Sequence, residues 1–443
     1  MPGPAPTPVS GDAALPARAD VVVIGGGIAG TSTALELAER GHAVALCEKG
    51  VIGGEQSSRN WGWVRISHRD PREIPLMVEA LRLWSGMDAR IGRATGYRRS
   101  GILFAAESAE ALARLEAWGE HLSPFRIEAR AVRGAGMGAL LPGHRLQVAG
   151  GFWTPGDGRA EPQLAAPAIA EAAREKGARV LTGCAVRAVE RAAGRVAGVV
   201  TERGPIACDA VVLAGGAWSR LFAGNAGVEL PQLKVLSSVL RTDAVEGGPE
   251  AAIWAPDFAI RKRADGGHTI APPGSGVADI VPDSFRLARA FLPALRAEWR
   301  SLSFRVGRAF VDEARRPRRW AADGPSPFES CRVLDPAPRA AALDSAFAAA
   351  RAAFPALAGA RVAQRWSGMI DVTPDAIPVI SDVAELPGLY IATGFSGHGF
   401  GIGPGAGRLM ADLVTGAPPC VDPADFRLSR FFDGSPITVM AGL

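Results

Sequence analysis

Residues 21–30 read VVVIGGGIAG, and this run predicts a buried strand, a tight glycine turn and the start of a helix. Four consecutive apolar residues suit a strand that is covered on both faces. Gly25 allows the sharp turn, Gly27 lets the backbone approach a phosphate, and Gly30 lets the helix pack close to the strand. A dinucleotide pyrophosphate would then lie at the positive end of the helix dipole, against unpaired backbone N–H groups.

The residues that follow complete this pattern. The predicted helix ends near Arg40, just before Gly41, and a second strand over residues 43–47 ends at Glu48. A carboxylate at that strand end can accept hydrogen bonds from an adenosine ribose. A glycine triplet can also be only a tight turn, but strand, helix, second strand and terminal acid in register favour nucleotide binding.

Composition and charge restrict the class of protein. The chain has 443 residues, 48% of them hydrophobic and 21% charged, which is ordinary for a globular protein of two domains. A formal net charge of +4 is too mild to indicate a nucleic-acid partner by itself. No apolar run reaches the roughly 20 residues that a membrane-spanning helix needs. Residues 1–19 lack the features of a secretory signal, and we expect a disordered lead-in there.

The cysteines indicate the compartment. The five cysteines are scattered, without a CxxC pair or a Cys/His cluster of metal-ligand spacing, so we expect no metal site. An odd, scattered count favours a reducing compartment without structural disulfides. These features predict a cytoplasmic protein without a transmembrane segment, for which peripheral contact with the inner membrane stays open.

The order of strand and helix patterns predicts two domains. Strands and helices alternate near both ends of the chain, the last helix falling on residues 404–415, whereas residues 233–310 carry the short alternating runs of an antiparallel sheet. This favours a discontinuous nucleotide domain with a second domain inserted into it. We expect the nucleotide domain to comprise residues 20–95, 155–225 and 362–418, the second domain residues 96–154 and 226–361, and a C-terminal tail residues 419–443.

Four segments together carry a family resemblance. They are the first glycine motif, residues 157–162 (DGRAEP), residues 214–218 (AGGAW) at a strand end, and residues 394–399 (GFSGHG). In their order and spacing they resemble the D-amino-acid oxidase superfamily, which includes D-amino-acid dehydrogenases, glycine oxidase and sarcosine oxidase. The resemblance implies an α/β (α+β) fold, with a discontinuous Rossmann-like FAD-binding domain and an inserted substrate domain of mixed, largely antiparallel sheet.

The resemblance implies that FAD lies between the two domains. Ser57 and Ser58 could donate to its pyrophosphate, and residues 60–62 could line the isoalloxazine, although a surface loop is the alternative for this segment. The glycines of residues 394–403 allow backbone to run against a flat ring. The residues assigned to FAD are Gly25, Gly27, Ile28, Ala29, Gly30, Glu48, Lys49, Ser57, Ser58, Arg59, Asn60, Trp61, Gly62, Val186, Ala214, Gly215, Trp218, Gly368, Gly394, Gly397, His398, Gly399, Phe400, Gly401 and Ile402.

Several departures from the family pattern bear on the cofactor and its acceptor. Gly368 stands where sarcosine oxidases have the cysteine that attaches the flavin, and no histidine lies near Trp61, so the resemblance implies noncovalent FAD. Gly401 stands where those enzymes carry a lysine after the Gly-His-Gly-Phe run, so the anchor for a substrate carboxylate must differ. Residues 268–273 hold no counterpart of their oxygen-activating lysine, which favours a quinone or another carrier over O2 as acceptor.

The implied reaction needs little acid–base chemistry. A neutral amine loses a hydride from its α-carbon to flavin N5, and water hydrolyses the resulting imine to a keto acid. We predict oxidation of the C–N bond of an amino acid or related amine, with a D-amino-acid dehydrogenase or oxidase favoured. A secondary-amine oxidase or dehydrogenase acting on sarcosine-like or proline-like substrates is the alternative.

Three side chains are candidate catalytic residues. Arg65 follows the flavin loop, matches an active-site arginine region of relatives, and could hold a carboxylate through two parallel hydrogen bonds. His68 is a second candidate for the same task, and His398 lies among the glycines expected at the flavin. An ion pair for Arg65 and a structural role for either histidine are the competing interpretations.

Two other functions are less well supported. A flavin monooxygenase would share the first glycine motif, but such enzymes have Gly-Asp at the last strand end, where this chain reads TGFS over residues 393–396. A tRNA-associated flavoprotein would explain the basic cluster of residues 315–320 (RRPRRW), although one short cluster is more often a solvated turn. We therefore expect no nucleic-acid partner.

Overall fold

A computed structural model describes residues 3–299 and 302–440. The first two residues of the predicted lead-in, residues 300 and 301 of the predicted second domain, and residues 441–443 of the predicted tail lie outside the described residues. No helix in the described part of the chain combines the length and apolarity that crossing a bilayer requires.

Strands and helices alternate along most of the chain. The strands are β1 (Val21–Ile24), β2 (Val44–Cys47), β3 (Trp63–Val64), β4 (Ile102–Ala106), β5 (Arg130–Val132), β6 (Gly150–Thr154), β7 (Gly158–Arg159), β8 (Arg179–Leu181), β9 (Val186–Ala192), β10 (Arg195–Thr201), β11 (Gly204–Ala207), β12 (Ala210–Leu213), β13 (Leu233–Thr242), β14 (Ala252–Trp254), β15 (Ala259–Lys262), β16 (His268–Ala271), β17 (Gly276–Asp279), β18 (Leu302–Arg305), β19 (Val362–Val372), β20 (Val379–Asp382) and β21 (Leu389–Thr393). The helices are α1 (Ile28–Glu39), α2 (Gln56–Arg59), α3 (Ile74–Ile91), α4 (Ala109–Gly119), α5 (Ala135–Leu140), α6 (Pro162–Glu175), α7 (Ser219–Asn225), α8 (Pro282–Arg286), α9 (Ala288–Glu298), α10 (Arg308–Arg315), α11 (Pro327–Ser330), α12 (Ala340–Ala353) and α13 (Gly399–Thr415).

A six-stranded sheet forms the nucleotide domain, in the order β20-β21-β12-β1-β2-β8. Its strands are parallel except β20, which pairs antiparallel with β21. The four residues of β1 are all buried, because α1, α6 and α13 cover one face of the sheet and β9–β11 with α7 lie on the other. Strands that are apolar at every position, such as β1, β2 and β12, need cover on both faces.

Close packing of α1 against α13 brings two helix N-termini to the same edge of the sheet. A Cβ on Gly407 would lie 2.5 Å from the Ser32 Cβ, so only glycine allows this approach. Helix α13 begins at Gly399, not at Pro404 as predicted. Pro404 lies in the second turn of α13, where its missing N–H removes the ladder bond to the Phe400 carbonyl, and the helix continues past it.

The second domain is built on a ten-stranded sheet, in the order β18-β17-β13-β16-β15-β14-β4-β6-β5 with β19 also paired to β13. Helix α12 packs on this sheet through Leu343 and Ala346, against Leu240 and Ile270. Strand β19 pairs antiparallel with β13 from Val362 to Val372, although the predicted boundary assigned these residues to the nucleotide domain. One strand therefore joins the second sheet to the nucleotide domain.

The predicted disordered lead-in is instead an extended segment bound to the nucleotide domain over residues 3–19. The Thr7 N–H donates to the Gln163 carbonyl at 2.9 Å, and the Asp12 N–H donates to the Val180 carbonyl at 2.7 Å. Val180 belongs to β8, the edge strand of the six-stranded sheet, whose outer backbone groups would otherwise be unpaired. The composition of this segment excludes a core of its own, but not pairing with a sheet edge.

Candidate functional site

A cavity extends from the glycine turn after β1 to the glycines that precede α13. Fifteen of the residues predicted to bind FAD line it: Gly25, Gly27, Ile28, Ala29, Glu48, Lys49, Ser57, Asn60, Val186, Ala214, Gly215, Trp218, Gly397, Gly399 and Phe400. The other predicted residues are not among its lining: Gly30, Ser58, Arg59, Trp61, Gly62, Gly368, Gly394, His398, Gly401 and Ile402. The structure thus brings residues from five distant segments of the chain to one cavity.

The glycine turn has the shape of a phosphate cradle. Gly25 has a φ of +110°, and a Cβ there would lie 2.3 Å from the Ala214 carbonyl oxygen. A Cβ on Gly30 would lie 1.9 Å from the Gly25 carbonyl oxygen. Gly27 caps α1 without any side-chain hydrogen bond, and the Ser57 Oγ accepts from the Ile28 N–H at 2.8 Å. The start of α1 can therefore receive an anionic group from the cavity side.

Glu48 lies at the other end of the turn. Its Oε2 accepts from the Gly26 N–H and its Oε1 from the Gly50 N–H, both at 2.7 Å. Burial raises the pKa of this carboxyl, and these two backbone donors oppose the rise. Each carboxylate oxygen keeps a lone pair free for a ribose hydroxyl. A glycine cradle with an acid at the end of β2 fits the adenosine and pyrophosphate of a dinucleotide.

Lining residues that sequence reasoning missed include Asp371, Glu55 and Met369. Asp371 in β19 accepts through Oδ2 from the Gly394 N–H at 2.6 Å and from the Thr393 Oγ1 at 3.1 Å, and it is buried. This carboxylate fixes the glycine block to β19. In the sequence, only the position of Asp371 just before Thr373-Pro374 indicated that this residue could belong to the site.

The loop after α2 is held by a buried ion pair. The Arg261 Nε donates to the Trp61 carbonyl at 2.5 Å, and its two Nη atoms contact the Glu161 carboxylate at 2.7 and 3.2 Å. Trp61 itself packs on Trp63 and Trp254, with ring centroids 5.4 and 5.3 Å away. Trp61 and Gly62 thus belong to the wall between the two domains, and Arg261 and Glu161 position them.

The three candidate catalytic residues lie in one cluster with Arg69 and Glu73, in which His68 is half-buried and the other side chains are buried. Arg65 Nη1 donates to the carbonyls of Ser67 and, at 2.9 Å, of His68, and burial lowers its pKa to about 9. Burial likewise lowers the pKa of His68 and of His398 to about 4, so both imidazoles are neutral at pH 7.

Arg69 and Glu73 were not singled out from the sequence. Arg69 Nη2 donates to the His398 carbonyl at 3.3 Å, and Glu73 Oε2 lies 3.5 Å from His398 Nδ1. Within residues 3–299 and 302–440, Arg69 Nη1 and both Glu73 oxygens lack a hydrogen-bond partner. The sequence did contain one indication that these side chains lie together, namely the four-residue spacing of Arg65, Arg69 and Glu73. The cluster therefore holds an unpartnered guanidinium nitrogen of Arg69 beside an unpartnered carboxylate of Glu73, and both groups are buried.

The contribution of the Asp157 carboxyl to folding stability should depend on pH. Its carboxylate accepts from the N–H groups of Ile66 and Ser67, at 2.7 and 3.2 Å, and from the Ser67 hydroxyl. Burial raises its pKa to about 6, against a value of about 3.9 in the unfolded chain. A raised carboxyl pKa favours folding below about pH 4, and this contribution is lost as the pH rises through about 6.

We therefore expect the stability of the wild type, relative to Asp157→Asn, to fall between pH 4 and 6. Urea unfolding of both proteins across that range measures this difference. Hydrogen bonds lost in the variant shift its stability equally at every pH, so they do not affect the slope. A difference that stays constant with pH would contradict the expectation.

Comparison with known proteins agrees with this geometry. A family model described as DAO, FAD dependent oxidoreductase, matches residues 20–413. The solved structure of L-amino acid deaminase from Proteus myxofaciens, in complex with anthranilate, superposes with a TM-score of 0.94 at 36% sequence identity, over 97% of both chains. Glycine oxidase from Pseudomonas putida is 29% identical over 92% of this chain and 97% of its own length.

A further relative is longer than this chain. 4-Methylaminobutanoate oxidase (formaldehyde-forming) from Paenarthrobacter nicotinovorans is 26% identical over 94% of this chain, which spans 46% of that relative's length. The comparisons confirm the predicted fold class, FAD as the cofactor, and an oxidoreductase that acts on amino acids or amines. The D configuration predicted for the substrate has no support among them. The chain belongs to the DAO family of FAD-dependent oxidoreductases.

Proposed function

We propose that this protein oxidises the α-carbon–nitrogen bond of an L-amino acid, giving a 2-keto acid and ammonia after hydrolysis of the imine. The observation that carries the proposal is the 36% identity over 97% of both chains to the L-amino acid deaminase from Proteus myxofaciens. It favours the L over the D configuration that the sequence alone predicted.

The residues of the cavity suit noncovalent FAD. The start of α1 and Ser57 would hold the pyrophosphate, Glu48 the ribose, and the glycines before α13 the flavin. FAD, when bound, supplies the acceptor for a hydride from the α-carbon. Gly368 has no side chain, so no thioether to a flavin can form at the position where the resemblance expects a cysteine. Acid precipitation should therefore release all the flavin into the supernatant.

The buried arginines suit the substrate carboxylate. Arg65 and Arg69 present two guanidinium groups beside the glycines that line the flavin end, and Arg69 Nη1 lacks a partner in the described chain. Trp61, Trp63, Trp254 and Phe104 form an aromatic wall that excludes water from this side. A carboxylate held by arginine and an apolar wall would orient the α-carbon and keep the amine neutral.

Arg65→Lys should lower kcat/KM for an amino acid by roughly 100-fold, because an ammonium cannot make two parallel bonds to a carboxylate. The flavin spectrum should not change, since Arg65 does not line the cavity. Arg114→Lys, on the exposed face of α4, is the matched control. If Arg65→Lys lowers kcat/KM equally for an amine that has no carboxylate, then Arg65 does not act by holding the substrate carboxylate.

Anaerobic mixing tests the substrate class. We expect L-amino acids to bleach the flavin absorbance of the yellow holoprotein, and D-amino acids and N-methyl amines to leave it. Bleaching by D-amino acids alone would restore the sequence-based prediction, and bleaching by sarcosine or proline would favour the secondary-amine alternative. If a quinone analogue reoxidises the reduced flavin rapidly and air does so only slowly, the electron acceptor is a carrier. Rapid reoxidation of the flavin by air would overturn that assignment.

A further inference from the structure

Glu73 is a buried acid that the proposed reaction leaves without a task. Its side chain is 0% exposed, and in the part of the chain that the structure describes neither of its carboxylate oxygens has a hydrogen-bond partner. A carboxylate is costly to take out of water, so a buried one normally faces a cation or hydrogen-bond donors. The groups that surround Glu73 therefore indicate why a charge is kept at this position.

A cation and a potential donor face this carboxylate. Burial lowers the pKa of the Arg69 guanidinium, and the negative charge of Glu73 opposes that fall. The Nδ1 atom of His398 lies 3.5 Å from Glu73 Oε2, and a movement of about 0.5 Å would bring the two atoms to the usual hydrogen-bond length. A neutral imidazole carries one N–H, and a hydrogen on Nε2 would leave the Nδ1 lone pair against the carboxylate. The hydrogen of His398 therefore belongs on Nδ1.

His398 lies where the glycine block joins helix α13. It is the N-cap residue of α13, and its neighbours Gly397 and Gly399 both line the cofactor cavity. Arg69 Nη2 donates to the His398 carbonyl at 3.3 Å, while Glu73 faces the His398 ring. Side chain and backbone of this one residue are thus both contacted from the segment that precedes α3. The direction of the α13 N-terminus should therefore depend on Arg69 and Glu73.

The other end of the glycine block is held from a different strand. Asp371 of β19 accepts through Oδ2 from the Gly394 N–H at 2.6 Å, and the Ser396 N–H donates to the Asp371 carbonyl at 2.9 Å. Asp371 thus fixes the block at residues 394 and 396, and the contacts from Glu73 fix it at His398. Two buried carboxylates from distant segments therefore hold the two ends of the turn that approaches the cofactor.

We propose that Glu73 is a positioning residue for the flavin, which holds His398 with its hydrogen on Nδ1 and balances the charge of Arg69 beside the N-terminus of α13. A helix N-terminus carries partial positive charge, and the Arg69 guanidinium adds to it. The Glu73 carboxylate weakens that field, so the electron affinity of FAD bound there should depend on Glu73. The inference concerns the cofactor site and does not depend on the substrate that we propose.

Sulfite titration of the holoprotein tests the role of the charge. Sulfite adds to N5 of oxidised flavin and leaves negative charge on the ring, so positive charge nearby tightens its binding. Glu73→Gln keeps the shape of the side chain and an acceptor for His398, but removes the charge. The sulfite Kd should therefore fall by roughly tenfold, and the flavin reduction potential should rise. Glu175→Gln is the matched control, since Glu175 is 55% exposed in its pair with Arg93.

A double variant tests whether Glu73 balances Arg69. Arg69→Gln, Glu73→Gln removes both charges, so its sulfite Kd should return to within about threefold of the wild-type value. This variant leaves neither member of the pair charged without the other, so it also serves if Glu73→Gln alone does not fold. A double variant with a sulfite Kd about tenfold below the wild-type value would overturn the proposed balance.

Two variants of His398 test the hydrogen bond. An asparagine amide can donate to Glu73 from about the place of Nδ1, whereas leucine leaves the carboxylate without a donor. His398→Asn should keep the Kd for FAD within about threefold of the wild type, and His398→Leu should raise it at least about tenfold. Fluorescence titration of the apoproteins with FAD measures both values.

Other outcomes would overturn the proposal. A Glu73→Gln holoprotein with the same sulfite Kd as Glu175→Gln would show that the charge does not act on the flavin. If that variant also bound FAD more weakly, Glu73 would have a packing role only. Loss of FAD from His398→Asn as complete as from His398→Leu would show that the Nδ1 hydrogen bond does not hold the turn.

Discussion

Gly30→Ala is expected to yield a protein without flavin colour. The new Cβ would lie 1.9 Å from the Gly25 carbonyl oxygen, a backbone atom that cannot move without opening the glycine turn. Helix α1 would have to shift away from β1, and its N-terminal N–H groups would leave the pyrophosphate position. We expect FAD affinity to fall by at least about 100-fold and stability by about 1–3 kcal/mol.

Flavin fluorescence titration of the apoprotein and urea unfolding measure these two effects. Gly86→Ala is the matched control, because Gly86 is helical in α3 and a Cβ there meets nothing within 4 Å. That variant should bind FAD normally and gain up to about 1 kcal/mol of stability. A Gly30→Ala protein that is yellow, with wild-type affinity, would refute the role of the turn.

Arg261→Met is expected to destabilise the protein by about 3–5 kcal/mol, because it leaves the buried Glu161 carboxylate without its partner. Arg261 is 1% exposed, and it also donates to the Trp61 carbonyl of the loop beside the flavin. The variant should therefore lose stability and weaken FAD binding together. The double variant Glu161→Met, Arg261→Met should recover much of the stability, since no unpaired charge stays buried.

Urea unfolding of the wild type, both single variants and the double variant completes this cycle. The control is Arg130→Met, because Arg130 and its partner Glu128 are 58% and 65% exposed, and we expect no measurable change there. Additive effects of the two buried substitutions would show that Arg261 and Glu161 do not act as a pair.

Local patterns predicted the nucleotide-binding half of the molecule. The run from Val21 to Gly30 forms the expected strand, turn and helix, and Glu48 lies at the end of β2 as its spacing indicated. Such features depend on residues close in sequence, whose conformational preferences act before any distant contact forms. The glycine block around Gly397 and Gly399, which lines the cavity, could be predicted from local sequence in the same way.

The features that could not be predicted from the sequence depend on contacts between distant segments of the chain. The pairing of β19 with β13, the Glu161–Arg261 pair across 100 residues, and the cluster of Arg65, Arg69, Glu73 and His398 each join segments whose spacing carries no periodic signal. The path of residues 3–19 over α6, β8 and β11 depends on backbone partners that only the assembled domain provides.

The sequence by itself determined the dinucleotide cradle and the alternation of strands and helices, because glycine conformation and apolar periodicity are local properties. Only the tertiary structure decided which charges are buried together and which apolar side chains of residues 282–319 stay exposed. Burial depends on what the rest of the chain places beside a residue, and no local pattern encodes that neighbour.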